Sequence, residues 1–397
     1  MDIRTRGTRI HVREQGDGEL ALVFLHYYGG SSRTWNGVAG ELSSQYRTVA
    51  TDHRGWGDSD APEHGYSITD LANDAQDVIE ALNLKRYVLV GHSMGGKTAQ
   101  WLASRRPAGL AGVVLLAPSP PSPMSLPQEQ RAAMAAAYAT RESVSWVLDN
   151  VLTANPLAPA LREQVIADSL RGAPQAKAAW PNAAALEDIT GEVGAINVPV
   201  MVIAGELDQV DRVETLQKEL LPRIAGARLH VLPGTGHLSP LEAPSAVATL
   251  IRQFVRELES HGNGSAPTTP EQVPVAFDVA FNAGDVDGVL GVFTGNATMR
   301  MADGVNVASG HDELRRQLSE LLKAGPHIRN QVRLSLVSDD IALVLIDWTV
   351  TVALPDGKHT TSRGTATQVM ERGDDGIWKL RISNPLGISR DADVVVE

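Results

Sequence analysis

Apolar runs alternating with helix-periodic stretches fill the first 258 residues. Residues 20–25 (Leu-Ala-Leu-Val-Phe-Leu) contain no polar position, which predicts a strand covered on both faces. Residues 47–51, 87–90, 110–117, 198–204 and 228–232 read as further strands. Between them, residues 67–84 repeat Leu71, Ala75, Val78, Ile79 and Leu82 at helical spacing. A second helix is predicted over 240–258, with Leu241, Val247, Leu250, Ile251, Phe254 and Val255 on its apolar face. Strands alternating with helices predict a parallel sheet with helices on both sides. Residues 4–13 alternate polar and apolar and predict an antiparallel edge hairpin.

Residues 118–196 break this rhythm. Pro118, Pro120, Pro121, Pro123 and Pro127 interrupt the chain, and Ala-rich helical stretches follow at 128–140, 142–152, 161–170 and 175–179. An insertion between two core strands predicts a helical cap over about 119–196. Met134, Tyr138, Trp146 and Trp180 are its candidate pocket residues, against the commoner role of packing the cap on the core. Residues 259–270, rich in Gly, Ser, Pro and Thr, predict a flexible linker. From 271 to 397 the pattern changes. Helices are predicted at 273–283, 286–292 and 311–322, a strand at 297–301, then alternating strands at 331–337, 341–354, 359–372 and 378–383. Helices followed by an antiparallel sheet predict an α+β domain.

Length and charge narrow the function classes. A chain of 397 residues exceeds one ordinary core and fits two domains, 1–258 and 271–397. A net charge of -12 argues against nucleic acid or an anionic membrane as partner. With 0 cysteines there is no thiolate catalysis and no cysteine-ligated metal. The first residues lack the apolar core of a signal peptide, and no apolar stretch has membrane-spanning length, so a cytoplasmic protein is expected.

The candidate chemistry centres on Gly91-His92-Ser93-Met94-Gly95-Gly96, which follows a buried strand and precedes a helix-compatible segment. A turn that tight pushes the Ser93 hydroxyl out at the sheet edge, and the glycines avoid collision with neighbouring strand and helix. A serine hydroxyl needs a base in contact and an acid behind the base. Asp208 follows the strand at 198–204, with Glu206 and Asp211 as rivals. His237 lies in a Gly-rich loop after the last strand. The developing oxyanion needs N–H donors, which the Met94 amide and the Tyr28 amide are placed to supply. Tyr27 and His26, beside them, are candidate pocket residues.

Residues 1 to about 258 resemble the α/β-hydrolase superfamily. The carriers are His26 with its Gly-containing loop, Asp52-His53-Arg54-Gly55-Trp56-Gly57-Asp58-Ser59, the Ser93 motif, Gly205–Asp208 and Gly236-His237. The resemblance is nearest to the esterase, lactonase and cofactor-free haloperoxidase-like branch. One departure is Tyr27, where those enzymes commonly carry the glycine of His-Gly-x-Pro. Ser93 sets the chain apart from the epoxide-hydrolase and haloalkane-dehalogenase branches, whose nucleophile there is Asp. The resemblance implies acyl transfer on a small or medium ester, thioester or lactone through an acyl-enzyme, with no metal and no cofactor. Peroxide in place of water would give perhydrolysis.

Residues from about 270 to 390 resemble the SnoaL-like, ketosteroid-isomerase-like superfamily of cone-shaped α+β domains. The carriers are Ala280-Phe281-Asn282-Ala283-Gly284-Asp285-Val286-Asp287, Gly310-His311-Asp312-Glu313-Leu314 and Trp378 to Pro385. Asp347, Arg363 and Asn384 are its candidate cavity residues. Asp347, amid apolar neighbours, is a candidate base with a raised pKa, against the alternative of a solvent-facing strand position. The resemblance leaves open a ligand-binding or dimerising domain, with a homodimer implied, or a bifunctional enzyme whose second domain isomerises, cyclises or dehydrates.

Overall fold

The computed structural model describes every residue except 263–266, 302, 354–358, 388–392 and 397. The chain divides into two compact units, Met1–Arg256 and Glu257–Glu397.

The first unit is built on eight strands: β1 (Asp2–Arg4), β2 (Arg9–Gln15), β3 (Ala21–Leu25), β4 (Arg47–Thr51), β5 (Tyr87–His92), β6 (Leu110–Leu116), β7 (Val200–Gly205) and β8 (Arg228–Leu232). Their order is β1-β2-β4-β3-β5-β6-β7-β8. Strand β2 is antiparallel to both its neighbours, β1 and β4, and every pairing from β4 across to β8 is parallel. The fully apolar β3 is buried at all five positions, as a strand between two helical layers must be. Val23 and Leu25 join the core shared with helices Ile68–Ala81, Met94–Ser104 and Val213–Glu219. Phe24 points the other way and meets Trp35 at 4.9 Å. Helix Ile68–Ala81 starts where Ser67 and Asp70 form a capping box.

The helix predicted over 240–258 is in fact two. Ser239–Glu242 ends at Ala243, which leaves the helical region (φ -138°, ψ 56°), and Pro244–Gly262 begins afresh. Pro244 has no N–H to donate and crowds the residue before it, so the break falls there. The second piece runs through 259–262, so the start of the predicted linker is helical, and residues 263–266 lie outside those described. The cap contains helices Gln128–Ala136, Arg141–Val147, Pro159–Arg171 and Pro174–Asn182.

The second unit places helices Gln272–Asn282, Val286–Gly291 and His311–Leu322 against one face of a mainly antiparallel sheet. Its strands are β9 (Phe293–Arg300), β10 (Val307–Ser309), β11 (His327–Ser338), β12 (Ile341–Ala353), β13 (His359–Arg372), β14 (Trp378–Asn384) and β15 (Asp393–Val396). The order is β10-β9-β14-β13-β12-β11, with β15 added to β13. The short β10 and β15 have too few alternating positions to be visible in the sequence.

Candidate active site

Strand β5 ends in the tight turn that carries Ser93. Its backbone is strained (φ 52°, ψ -113°), a conformation that costs about 1–3 kcal/mol for a residue with a side chain. Neighbouring backbone holds it there. The Ser93 amide donates to Leu116 O at 3.0 Å, and Ser93 O accepts from the Lys97 and Ser119 amides at 3.1 Å each. The elbow helix Met94–Ser104 lies hard against the end of β3. A Cβ at Gly95 would sit 2.4 Å from Leu25 O and 2.7 Å from His26 O. Ser93 is thereby fixed at the floor of a cavity of about 1170 Å³.

Asp208 and His237 arrive from the ends of β7 and β8, the edge where parallel sheets gather their sites. His237 Nδ1 meets Asp208 Oδ2 at 2.9 Å, with both side chains buried. The other carboxylate oxygen accepts from the Val210 amide at 2.7 Å and the Asp211 amide at 3.1 Å. The carboxylate therefore has one oxygen fixed by backbone and one left for the imidazole. That bond holds the proton on Nδ1 and leaves Nε2 free to accept one. Burial pulls the His237 pKa down, but the Asp208 charge and hydrogen bond outweigh it, so the value ends above its ordinary 6.5. Among the described residues no hydrogen bond joins the Ser93 hydroxyl to His237, a looseness common in unliganded sites. The two nonetheless line one cavity. Neither rival acid bonds the imidazole. Glu206 Oε2 accepts from the Gly234 amide at 2.8 Å, and the Asp211 carboxyl makes no bond to His237. His92, invisible as a functional residue in the sequence, lies behind His237. It is kept neutral by burial and donates Nε2–H to His237 O at 2.8 Å.

The loop after β3 brings its carbonyls under control one by one. Tyr27 O accepts from His26 Nδ1 at 2.7 Å and from the Gly30 amide at 3.0 Å. Tyr28 O accepts from the Tyr138 hydroxyl at 3.2 Å, and Gly29 O from the Ser169 hydroxyl at 2.9 Å. Gly29 adopts φ 94° with its α-carbon against the Tyr138 ring, where a Cβ would lie 2.2 Å from ring carbon. Tyr138 and Ser169 belong to the cap, so the cap orients the loop beside Ser93. His26 was a candidate pocket residue, and the structure corrects that. It is fully buried, accepts the His53 amide at 2.9 Å on Nε2, and does not line the cavity; it is scaffold for the loop. Tyr27, Tyr28, Trp146 and Trp180 do line it.

A testable consequence attaches to Tyr138. Tyr138→Phe keeps the ring and leaves Tyr28 O unsatisfied. The expected result is a loss of about 1 kcal/mol in stability, readable by thermal melting. If the Tyr28 amide serves a developing oxyanion, turnover of an ester substrate should fall about tenfold in kcat with KM nearly unchanged, because the lost contact is made only in the transition state.

The cap is also tied to the elbow helix by Lys97. Its buried ammonium donates to Ser122 O, Ala185 O and Glu187 O at 3.2, 3.4 and 2.7 Å, which are the outgoing and returning roots of the cap. Burial lowers its pKa to about 8. The cavity beneath the cap is largely apolar on the cap side, with Met124, Leu126, Met134, Trp146 and Val147 in its wall. Among the described residues lining it there is no arginine, and its single surface lysine, Lys218, lies 3.7 Å from Glu219. The one cluster of potential metal ligands among the described residues, His11, Asp52 and Asp58, is already engaged. Asp52 accepts the Ser32 and Asp58 amides, His11 meets Asp2, and Asp58 meets Arg171.

Two family models match the sequence, the alpha/beta hydrolase family over residues 22–250 and the SnoaL-like domain over residues 275–380. The chain belongs to the α/β-hydrolase family. Over 250 residues the chain is 30% identical to a non-heme haloperoxidase of Rhodococcus erythropolis, covering 58% of this chain and 90% of that protein. Over 117 residues it is 35% identical to an uncharacterized protein of Mycobacterium tuberculosis (strain ATCC 25618 / H37Rv), covering 29% of this chain and 34% of that protein. The match thus spans about a third of that relative's length. Among solved structures, an esterase (EaEST) from Exiguobacterium antarcticum aligns with TM-score 0.60 at 25% identity, covering 64% of this chain and 98% of that one. Est816, described as an N-acyl homoserine lactone degrading enzyme, aligns with TM-score 0.58 at 29% identity, covering 64% and 100%. Membership and these relatives support a hydrolase.

Among the described residues, the three candidates of the SnoaL-like unit lie on the sheet face turned away from the helices. Ala342, Val344, Ile346, Ala366 and Met370 face the helices and are buried. By strand alternation Asp347 and Arg363 face the other way. Asp347 is open to solvent, bonded by Arg333 at 2.6 and 2.9 Å and by Thr365 at 2.8 Å. The Arg333 hydrogen bonds hold its pKa below the ordinary value, so the expected raised-pKa base is overturned. Arg363 is exposed. Asn384 opposes Thr367 on that same outer face and accepts from Arg300 at 3.2 Å. The perturbed carboxyl is instead Asp278 on helix Gln272–Asn282, pushed up to about 7 by burial and bonded to the Asn330 amide at 2.8 Å.

Proposed function

We propose that the α/β-hydrolase unit cleaves an uncharged, largely apolar carboxylic ester, thioester or lactone through an acyl-enzyme on Ser93. The observation that carries this reading is the strained Ser93 turn facing, in one cavity, a His237 whose Nδ1 is held by Asp208. His237 Nε2 takes the Ser93 proton as the oxygen attacks the carbonyl. The Met94 and Tyr28 amides receive the developing oxyanion. His237 then returns the proton to the leaving oxygen or sulfur, and a water activated by the same nitrogen releases the acid. The apolar wall and the lack of arginine support an uncharged acyl chain over a carboxylated one. Perhydrolysis by the same acyl-enzyme is a second reading, favoured by the haloperoxidase relative.

The test is turnover of p-nitrophenyl esters by the full chain and by Ser93→Ala, which should reduce turnover to background. The pH profile adds a sign. His237 must be neutral to act, and its pKa is raised, so kcat/KM should fall on acidification through a limb lying above pH 6.5. The same raised pKa adds stability that is fully present below pH 6.5 and lost as pH rises through the folded value. A limb below pH 6.5 would contradict the Asp208–His237 geometry.

For the SnoaL-like unit we propose an accessory role as the seat of a homodimer. Leu336, Leu343, Val369 and Ile382 are cross-strand neighbours over β11, β12, β13 and β14 on the outer sheet face. Leu336, Leu343 and Ile382 are exposed. A row of this kind marks an interaction surface. Light scattering should give twice the chain mass for the parent protein and the chain mass for Leu336→Lys/Ile382→Lys. Monomeric parent protein would overturn the assignment.

A further inference from the structure

Asp211 lies three residues past Asp208, in the wall of the cavity that holds Ser93 and His237. It is 8% exposed. Its amide is spent on Asp208 Oδ1, yet its carboxyl makes no hydrogen bond and no ion pair among the described residues. A carboxyl with no protein partner that opens onto a cavity takes its hydrogen bonds from whatever fills that cavity. The groups around it do not supply the missing partner. His237 and Asp208 are bonded to each other, and the Lys97 ammonium spends its three protons on carbonyls of the cap roots. Lys218 and Glu219 lie further along the same wall and pair with one another. The cap-side wall is largely apolar, and its Ser122, Ser125, Gln130 and Ser143 side chains make no hydrogen bond to Asp211, so an acceptor for Asp211 must come from the contents of the cavity.

We propose that Asp211 is a substrate-binding acid, donating its carboxyl proton to a second, uncharged oxygen acceptor on the substrate, away from the carbonyl that Ser93 attacks. The substrate class is an apolar acyl compound bearing one further keto, ether or amide oxygen. The inference rests on the hydrolase reading of this cavity and deepens it. Burial supports the protonated form, raising the Asp211 pKa to about 8, with His237 and Lys97 opposing and the Asp208 charge reinforcing the rise. At neutral pH the group is then a donor, and above pH 8 it becomes a charge that repels the same oxygen.

The test reads binding, so it does not depend on turnover. Octanamide and its 3-, 5- and 7-oxo analogues, which resist hydrolysis, are titrated calorimetrically into the full chain, Asp211→Asn and Asp211→Leu. At pH 7 the parent protein and Asp211→Asn, which keeps a donor, should bind one oxo amide about tenfold more tightly than octanamide. Asp211→Leu should bind them alike. Between pH 7 and pH 9 the preference should shrink in the parent protein and persist in Asp211→Asn, where His237 and Lys97 still titrate. A parent protein without any oxo preference overturns the proposal, as does a preference that Asp211→Leu retains or that is insensitive to pH. Failure of the ester assay with the oxo preference intact would count against the role of Ser93 and leave Asp211 standing.

Discussion

Asp208→Asn is expected to lower kcat about 10⁴-fold while leaving the fold in place. The reason lies in the hydrogen bonds to the carboxylate. Val210 and Asp211 each present an N–H to Oδ1, at 2.7 and 3.1 Å. An asparagine must therefore turn its carbonyl oxygen to those donors, which aims its NH₂ at His237 Nδ1. Two donors cannot share that contact, so the imidazole moves its proton to Nε2. In that tautomer it has no lone pair for the Ser93 hydroxyl. Asp211 does not rescue the variant, because its carboxyl has no bond to His237. Two readouts check this: steady-state ester kinetics, and the acid limb of kcat/KM. With the main raising influence gone, the limb of the residual activity should move to lower pH. A loss of less than tenfold would mean that another group orients His237.

The second large effect is on folding. Gly95→Ala should destabilise the first unit by about 3 kcal/mol, at the upper end of what overpacking costs. The added Cβ would meet backbone on every side: Leu25 O at 2.4 Å, Leu25 C at 2.6 Å and His26 O at 2.7 Å. These atoms form the end of β3 and the root of the Tyr27–Tyr28 loop, so no side chain can swing aside to relieve the clash. The elbow helix must move outward and carry Ser93 and the Met94 amide with it. Activity should fall about 10²-fold even in the folded fraction, since displacement of about 1 Å is enough for that. Gly40→Ala is the control. It lies in helix Asn36–Leu42, where an added Cβ meets nothing within 4 Å, and it should be neutral or stabilising by up to about 1 kcal/mol. Thermal melts of the two variants separate steric conflict from a general intolerance of alanine.

The floor of the candidate site was legible in the sequence because its signals are local. A run such as Leu22 to Leu25 has one reading, and the spacing of glycines around Ser93 leaves little choice of backbone. The positions of Asp208 and His237 follow from strand ends that the apolar runs mark. What the sequence hid was long-range. The Tyr138 hydroxyl reaches Tyr28 O across 110 residues, and Ser169 reaches Gly29 O across 140. No periodicity encodes such a pairing. Asp208 and Asp211 differ in the sequence only by three positions. In the structure one carboxyl is bonded to an imidazole and two amides, and the other faces a cavity unpaired. Asp347 misled for a different reason. Strand β12 carries apolar residues on both faces, with Leu343 exposed beside buried Val344, so alternation could not say which side Asp347 takes. The break at Ala243 was written in Pro244, but the unbroken apolar stripe from Leu241 to Val255 obscured it.

The proposed nucleophile, Ser93, is tested most directly by reaction with a fluorophosphonate, followed by intact mass and peptide mapping. The predicted result is one adduct per chain, on Ser93, absent in Ser93→Ala and formed far more slowly in Asp208→Asn. An adduct on another residue, or no adduct on a folded protein that still turns over p-nitrophenyl esters, would contradict it.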